Sequence, residues 1–199
     1  MPGRDSMAKA SRKSLYPISD IFLNRWSPRA MSGEPMSDEE LMPLFEAARW
    51  APSSYNGQPW RFVYAYKGSK RYDQFFELLV PFNQSWAKTA AVLVAIISKK
   101  TFELNGKPSR THSFDTGSAW MNFALQGSID DLVVHAMEGF DYDKTHNLLG
   151  LSDDYQVECM VAVGKPGRKE DLPAELQERE EPSGRRPIEE IVFEDEFKE

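Results

Sequence analysis

The chain has 199 residues, with 24 Lys and Arg against 31 Asp and Glu for a formal charge of −7, and 41% hydrophobic and 12% aromatic residues. That length suits one domain with short appendages, and the apolar fraction is enough to bury a core. Net acidity without a basic stripe argues against a nucleic-acid surface, which needs clustered cations, and the single cysteine, Cys159, excludes an intrachain disulfide and fits a reducing compartment.

Residues 1–14, MPGRDSMAKASRKS, are small, polar and basic. They read as a flexible tail or, through Arg4, Lys9, Arg12 and Lys13, as an organellar address; without the apolar core of a signal peptide the cytoplasm is the default location. Residues 15–199 read as the domain. Ser37 opens a predicted helix, SDEELMPLFEAARW, with a capping box to Glu40; Leu41, Leu44, Phe45 and Ala48 share a face, Pro43 should kink it and Pro52 ends the element. Trp60–Tyr66 alternates as a strand. A second helix, SKRYDQFFELLVPF, turns Tyr72, Phe75, Phe76 and Leu79 inward and stops at Pro81. The run Ala90–Ile97 is a strand buried on both faces, far short of the roughly 20 residues that span a bilayer, so no membrane partner is expected. Ser113–Ile129 reads as a long, mostly buried helix. Leu132–Met137 is a short strand, Asp141–Gly150 a helix closed by its glycine, and Tyr155–Gly164 another strand. Lys165–Gly184 is charged and loop-like, and carboxylate runs such as ELQEREE read as solvated. The last segment, RRPIEEIVFED, must pack its apolar residues either as an edge strand of the same subunit or as an arm on a partner. Alternating helices and strands indicate an α/β-like or α+β domain layered around one sheet.

The strong catalytic signatures are absent: there is no Gly-rich P-loop, no G-x-G-x-x-G after the first strand, no H-E-x-x-H and no G-x-S-x-G. His112, His135 and His146 are scattered and read as structural, and with one cysteine no zinc set is expected. Phe114, Trp120 and Phe140 read as core, with the lining of a substrate slot as the alternative. Two polar clusters remain. In RWSPRAM, Arg25, Ser27 and Arg29 alternate, so an extended backbone puts them on one side. Two guanidiniums flanking a hydroxyl suit a phosphate monoester, and a solvated turn fits the same residues equally well. In APSSYNGQPWRFV (Ala51–Val63), amides and hydroxyls in a proline-held loop suit a flat polar ligand.

At these residues the sequence resembles the nitroreductases, a family of flavin-dependent homodimeric oxidoreductases. RWSPRAM is similar to their R-x-S-x-R element and APSSYNGQPWRFV to their P-S-S-x-N-x-Q-P-W segment. VPFNQSW resembles their asparagine-bearing stretch, MEGFD (Met137–Asp141) the segment beside the flavin ring, and GRRPIEEIVFED their terminal R-x-P-[LI]-E-E-x-V. In this order the similarity covers about residues 18–194. It implies an α+β three-layer sandwich, a mainly antiparallel sheet flanked by helices, with a domain-swapped C-terminal segment in a homodimer and FMN at the subunit interface.

By the same resemblance, Arg25, Ser27 and Arg29 hold the FMN phosphate and the pyrimidine side of the ring, Trp26 adds its backbone, and Arg185 joins at the phosphate end. Pro52, Ser53, Ser54, Asn56 and Gln58 reach the flavin bound largely to the other subunit. Asn83 bonds the polar edge of the ring, and Met137, Glu138 and Gly139 lie beside it, the last two offering backbone amides to N5 and O4. No residue is expected to act as acid, base, nucleophile or metal ligand, because the chemistry is on flavin N5. The implied activity is hydride uptake from NADH or NADPH and reduction of nitroaromatics, quinones or similar electron-poor acceptors in a ping-pong cycle. Alternatives are a specialised relative (dehalogenase-like, flavin-destructase-like or a flavin reductase), although Ser98–Phe114 is only a modest insertion where such relatives carry lids, or a flavin-binding dimer without turnover. Three positions depart from the family pattern: Trp26 and Ser183 stand where basic residues are common, and Asp131 stands where a glycine-rich turn is usual.

Overall fold

Four strands, β1 (Trp60–Tyr66), β2 (Val92–Lys99), β3 (Val133–Met137) and β4 (Tyr155–Gly164), pair antiparallel throughout in the order β1-β2-β4-β3 in the computed structural model, which describes residues 12–197. The expected tail therefore lies, for residues 1–11, outside the described residues. β2 is central, with every residue from Val92 to Ser98 buried. Its side chains alternate. Val92, Val94 and Ile96 join one apolar cluster with Leu41, Leu44 and Phe123, while Leu93 and Ala95 join another with Phe75, Trp86 and Met160.

Those two clusters require helices on both faces, and the sequence supplies them. On one face lie α2 (Asp38–Arg49) and α5 (His112–Ile129); on the other lie α3 (Lys70–Leu78) and α4 (Pro81–Ala87). The result is a three-layer arrangement. Shorter helices are α1 (Asp20–Asn24), α6 (Tyr142–Leu148) and α7 (Ala174–Gln177). The capping box is present: Ser37 N donates to Glu40 Oε2 at 2.8 Å, and Glu40 N to Ser37 Oγ at 3.4 Å.

α2 continues through Pro43, which is exposed, and the burial of Leu41, Leu44 and Ala48 holds the turns on either side. Other expectations need correction. Pro81 does not close the second helix. α3 ends at Leu78, Leu79 turns extended, and Pro81 is the first residue of α4, a position where its missing N–H costs nothing. Phe114 is exposed rather than core, whereas Phe140 is buried. The terminal segment forms no strand with this chain's sheet: a single 3-10 turn spans Ile188–Glu190, and Ile191 and Val192 are 60% and 61% exposed. Asp131, by contrast, does what its place in a turn asks: it takes the left-handed conformation, φ 56°, that a glycine would otherwise supply.

α5 approaches β3 so closely at Gly127 that a Cβ there would run into the Val134 side chain. Gly127→Val should therefore lower the unfolding free energy by about 2–4 kcal/mol through overpacking, read from urea denaturation. An unchanged midpoint would mean that the helix and sheet are not in contact there.

Candidate functional site

Arg25 is the residue on which α1 ends, and its backbone is already extended (φ −63°, ψ 120°). The segment from Arg25 to Arg29 therefore leaves the helix as a strand-like run. The alternation expected from sequence is seen directly, since Arg25 NH1 reaches Ser27 Oγ at 3.3 Å. Arg29 is held from behind by Glu180. One Glu180 oxygen accepts from the backbone N–H of Arg29 at 2.7 Å and of Ala30 at 2.8 Å, and the other lies 3.8 Å from the Arg29 guanidinium. Glu180 is buried, contrary to the reading of ELQEREE as a solvated run. Two backbone donors satisfy one Glu180 oxygen, while the other is buried without a hydrogen bond and meets the Arg29 guanidinium only as an ion pair.

Arg185 comes to the same place from the far end of the chain. It donates to Ser183 O, Ser183 Oγ and Gly184 O, and its charge, after burial, is what depresses the pKa of Arg25. A further guanidinium, that of Arg12, was not foreseen. It belongs to the segment read as tail, yet donates to Ser183 O at 2.9 Å, Leu23 O at 3.0 Å and Arg25 O at 2.9 Å. Arg12 and Arg185 open onto a cleft of about 630 Å³ whose other walls include Leu15, Tyr16 and Phe22.

His135 of β3 lies beneath the RWSPR segment. Its Nδ1 bonds Pro28 O at 2.9 Å, and its ring packs 4.6 Å from that of Trp86 on α4. Burial lowers its pKa to about 4; the Pro28 and Ser27 carbonyls oppose the shift, and Arg29 and Arg25 add to it. The imidazole is thus neutral at pH 7 and donates to Pro28 O. One turn before Trp86, Asn83 is buried and donates through Nδ2 to Gly139 O at 2.9 Å, and Val80 N donates to the same oxygen at 3.0 Å. Gly139 has no room for a side chain: a Cβ would stand 2.8 Å from Asn83 Nδ2 and from Val80 Cγ2. Next to it, Met137 is buried and Glu138 exposed. Arg25, Ser27 and Arg185 thus form an arginine wall, backed through Pro28 by His135 and Trp86; Asn83, on the helix of Trp86, joins it to Gly139, whereas Trp26 lines a separate small cleft with Ala124 and Leu132.

The loop carrying Pro52, Ser53, Ser54, Asn56 and Gln58 is built separately. Ser54 N donates to Asp115 Oδ2 at 3.0 Å, which ties the loop to the first turn of α5. Tyr55, Asn56 and Gln58 all have positive φ (51°, 53° and 46°), an uncommon and strained cluster for residues other than glycine. Part of the polar content shapes the loop itself, because Gln58 N donates to Ser53 Oγ and Gln58 Nε2 to Asn56 O. The strain is retained while Tyr55 is left 93% exposed. A cleft of about 800 Å³ lies between this loop and the hairpin around Thr101–Pro108, which meet where Tyr55 packs edge-on against Phe102 with ring centroids 5.9 Å apart. No described hydrogen bond links the loop to the arginine wall of the same chain.

The remaining chemistry is structural. His112 and Ser98 form a network with Glu158, the extra residue of a β-bulge opposite Ile96 and Ile97, and His146 closes onto Ser152 O. Burial pushes the Cys159 thiol up to about 12, which leaves it no thiolate character. Among the described residues, no helix is long and apolar enough to cross a membrane.

The family profile described as Nitroreductase family matches residues 23–81 and 70–165, well over half of the chain. The chain belongs to the nitroreductase family. It is 27% identical over 164 residues to an oxygen-insensitive NADPH nitroreductase of Helicobacter acinonychis (strain Sheeba), covering 65% of this chain and 77% of that protein. Among solved structures, one described as an oxidoreductase containing FMN is 45% identical with a TM-score of 0.89, covering 94% of this chain and 96% of that one. A nitroreductase family protein from Streptococcus pneumoniae TIGR4, 20% identical with a TM-score of 0.69, covers 85% of this chain and 96% of its own and shares the fold.

The residues that sequence reasoning missed are Arg12, Glu180 and His135. Only His135 left a signal, as the one polar residue inside the strand LVVHAM. Because the folded chain resists protonating it, stability conferred by the neutral ring is present above the unfolded value of 6.5 and is lost as pH falls towards about 4. The loss over that window is up to about 3 kcal/mol. Denaturant titrations at pH values across it should show wild type losing about 2–3 kcal/mol more than His135→Gln; parallel profiles would contradict the assignment.

Proposed function

We propose that this nitroreductase-family protein is an FMN-dependent oxidoreductase that takes reducing equivalents from NADH or NADPH and passes them to nitroaromatic, quinone or similar electron-poor acceptors. The observation that carries this reading is the convergence of Arg25 and Arg185, from opposite ends of the chain, with no carboxylate among the described residues paired to either. The donor set fits a phosphate monoester: guanidiniums match its oxygens and the Ser27 hydroxyl adds a neutral donor. Gly139, tightly packed beside Asn83, presents bare backbone where a planar ring could lie edge-on.

FMN, when bound, supplies a two-electron carrier, and a donor and an acceptor that occupy the same slot in turn give a ping-pong cycle. The protein's part is to bind and orient. Arg25, Ser27 and Arg185 hold the phosphate; Asn83 bonds the polar edge of the ring, with Met137, Glu138 and Gly139 alongside. Arg29, moderated by Glu180, places positive charge towards the pyrimidine side, which favours the reduced state. Neutral His135 holds the carbonyl side of the RWSPR segment without adding a charge.

The site is completed in this reading by a second copy of the chain. Ile188, Ile191 and Val192 are exposed on the terminal arm, as are Phe114 and Met121 on α5, and exposed apolar side chains in such number favour an interface. The arm would lie on the partner, and Pro52, Ser53, Ser54, Asn56 and Gln58 would face the flavin held mainly by the partner's arginines. The tension in that loop and its separation from its own wall support this placement.

The purified protein should elute as a dimer and carry or acquire the yellow absorbance of FMN, which anaerobic NADH or NADPH bleaches and a nitroaromatic or quinone restores. An Arg25→Gln/Arg185→Gln double variant should bind FMN about 100-fold more weakly. A colourless protein that takes up no FMN, or a bound flavin that no pyridine nucleotide reduces, would overturn the proposal.

A further inference from the structure

Arg12 is absorbed by neither arginine-bearing motif, yet its guanidinium reaches three different residues of the surrounding chain. Its Nε donates to Ser183 O at 2.9 Å, the carbonyl that also accepts from Arg185 at 3.3 Å, so two cations share one oxygen. Its NH1 donates to Leu23 O and to Arg25 O. One side chain thus fastens three stretches of chain: the segment after residue 11, the entrance to RWSPR, and the arm before Arg185.

The charge distribution is harder to account for by structure alone. Burial, then Arg185, then Arg25 hold the Arg12 guanidinium below its ordinary pKa, and Arg25 is depressed by burial and Arg185 in the same way. No opposing carboxylate acts on either. Among the described residues none of the three arginines forms an ion pair, although the chain carries 31 Asp and Glu. Three like charges packed together without a counter-charge are unfavourable. A clamp meant only to fasten backbone carbonyls could use neutral donors. Arginine at this point also brings a positive charge to the backbone of Ser183, a position that carries none itself.

We propose that Arg12 is a third cation of the anion site, so that the phosphate of the bound nucleotide-like cofactor is held by Arg12 together with Arg25 and Arg185. The inference rests on the FMN reading above and adds a residue from the N-terminal segment to it. Arg12 uses Nε and NH1 to fix its place, and its other terminal nitrogen has no partner among the described residues. That leaves Nη2, which lies between the two braced nitrogens, to donate to an anion.

The test compares FMN with riboflavin, which has the same ring and no phosphate, by fluorescence titration of the full-length apoprotein. Wild type should prefer FMN by about 100-fold or more, and Arg12→Gln should lower FMN affinity about 10–50-fold while leaving riboflavin within about 3-fold. Arg12→Lys, which keeps the charge but not the fork, should retain most of the preference, and the FMN affinity of wild type should fall more steeply with salt than that of Arg12→Gln. If Arg12→Gln weakens both ligands equally, Arg12 is only a structural clamp and the inference fails. If it changes neither while Arg25→Gln selectively weakens FMN, the inference fails and the FMN reading stands. If wild type binds neither ligand, the FMN reading itself has failed.

Discussion

Guanidinium groups repel one another, and a fold that brings them together without carboxylates must be compensated from outside the chain. Arg12, Arg25 and Arg185 are in that situation: burial and the nearby Arg185 work against the charged forms of Arg12 and Arg25, and nothing acidic among the described residues is paired with any of the three. Much of the neighbouring structure serves to hold this arrangement. Glu180 is buried to grip the backbone at Arg29 and Ala30, His135 is kept neutral beneath Pro28, and Trp86 relays that support to Asn83 and Gly139. A free-standing polar surface needs none of these devices.

The frame that carries the site was readable in the order of residues because its signals are local. A capping box at Ser37, the alternation of β1, the unbroken apolar run of β2 and the glycine at the end of α6 each lie within one window of sequence, and the structure contains each of them. The misreadings were also local. α4 is seven residues long and begins on proline, so it looked like the end of the helix before it. The terminal arm has the composition of a strand but no partner strand among the described residues of its own chain.

The site was legible only where its residues sit close together, as in Arg25-x-Ser27-x-Arg29. The supports escaped because each is a contact between distant parts of the chain: Arg12 with Ser183 across 171 residues, Arg29 with Glu180 across 151, Pro28 with His135 across 107. A glutamate in a charged run and an arginine in a basic tail look solvated until the fold supplies their partners. The loop from Pro52 to Gln58 shows the converse. Its polar density was conspicuous in sequence, but only the backbone reveals that some of those groups bond the loop to itself and hold it in a strained shape.

The central claim is that both ends of the chain build one anion site facing a flavin at a dimer interface. A crystal structure of the full-length protein grown with FMN tests it most directly. The account expects phosphate oxygens within about 3 Å of guanidinium nitrogens of Arg25 and Arg185, in a two-fold dimer whose second subunit brings its Pro52–Gln58 loop to the same ligand. A phosphate bound away from both arginines, or a monomer holding the complete cofactor by itself, would contradict it.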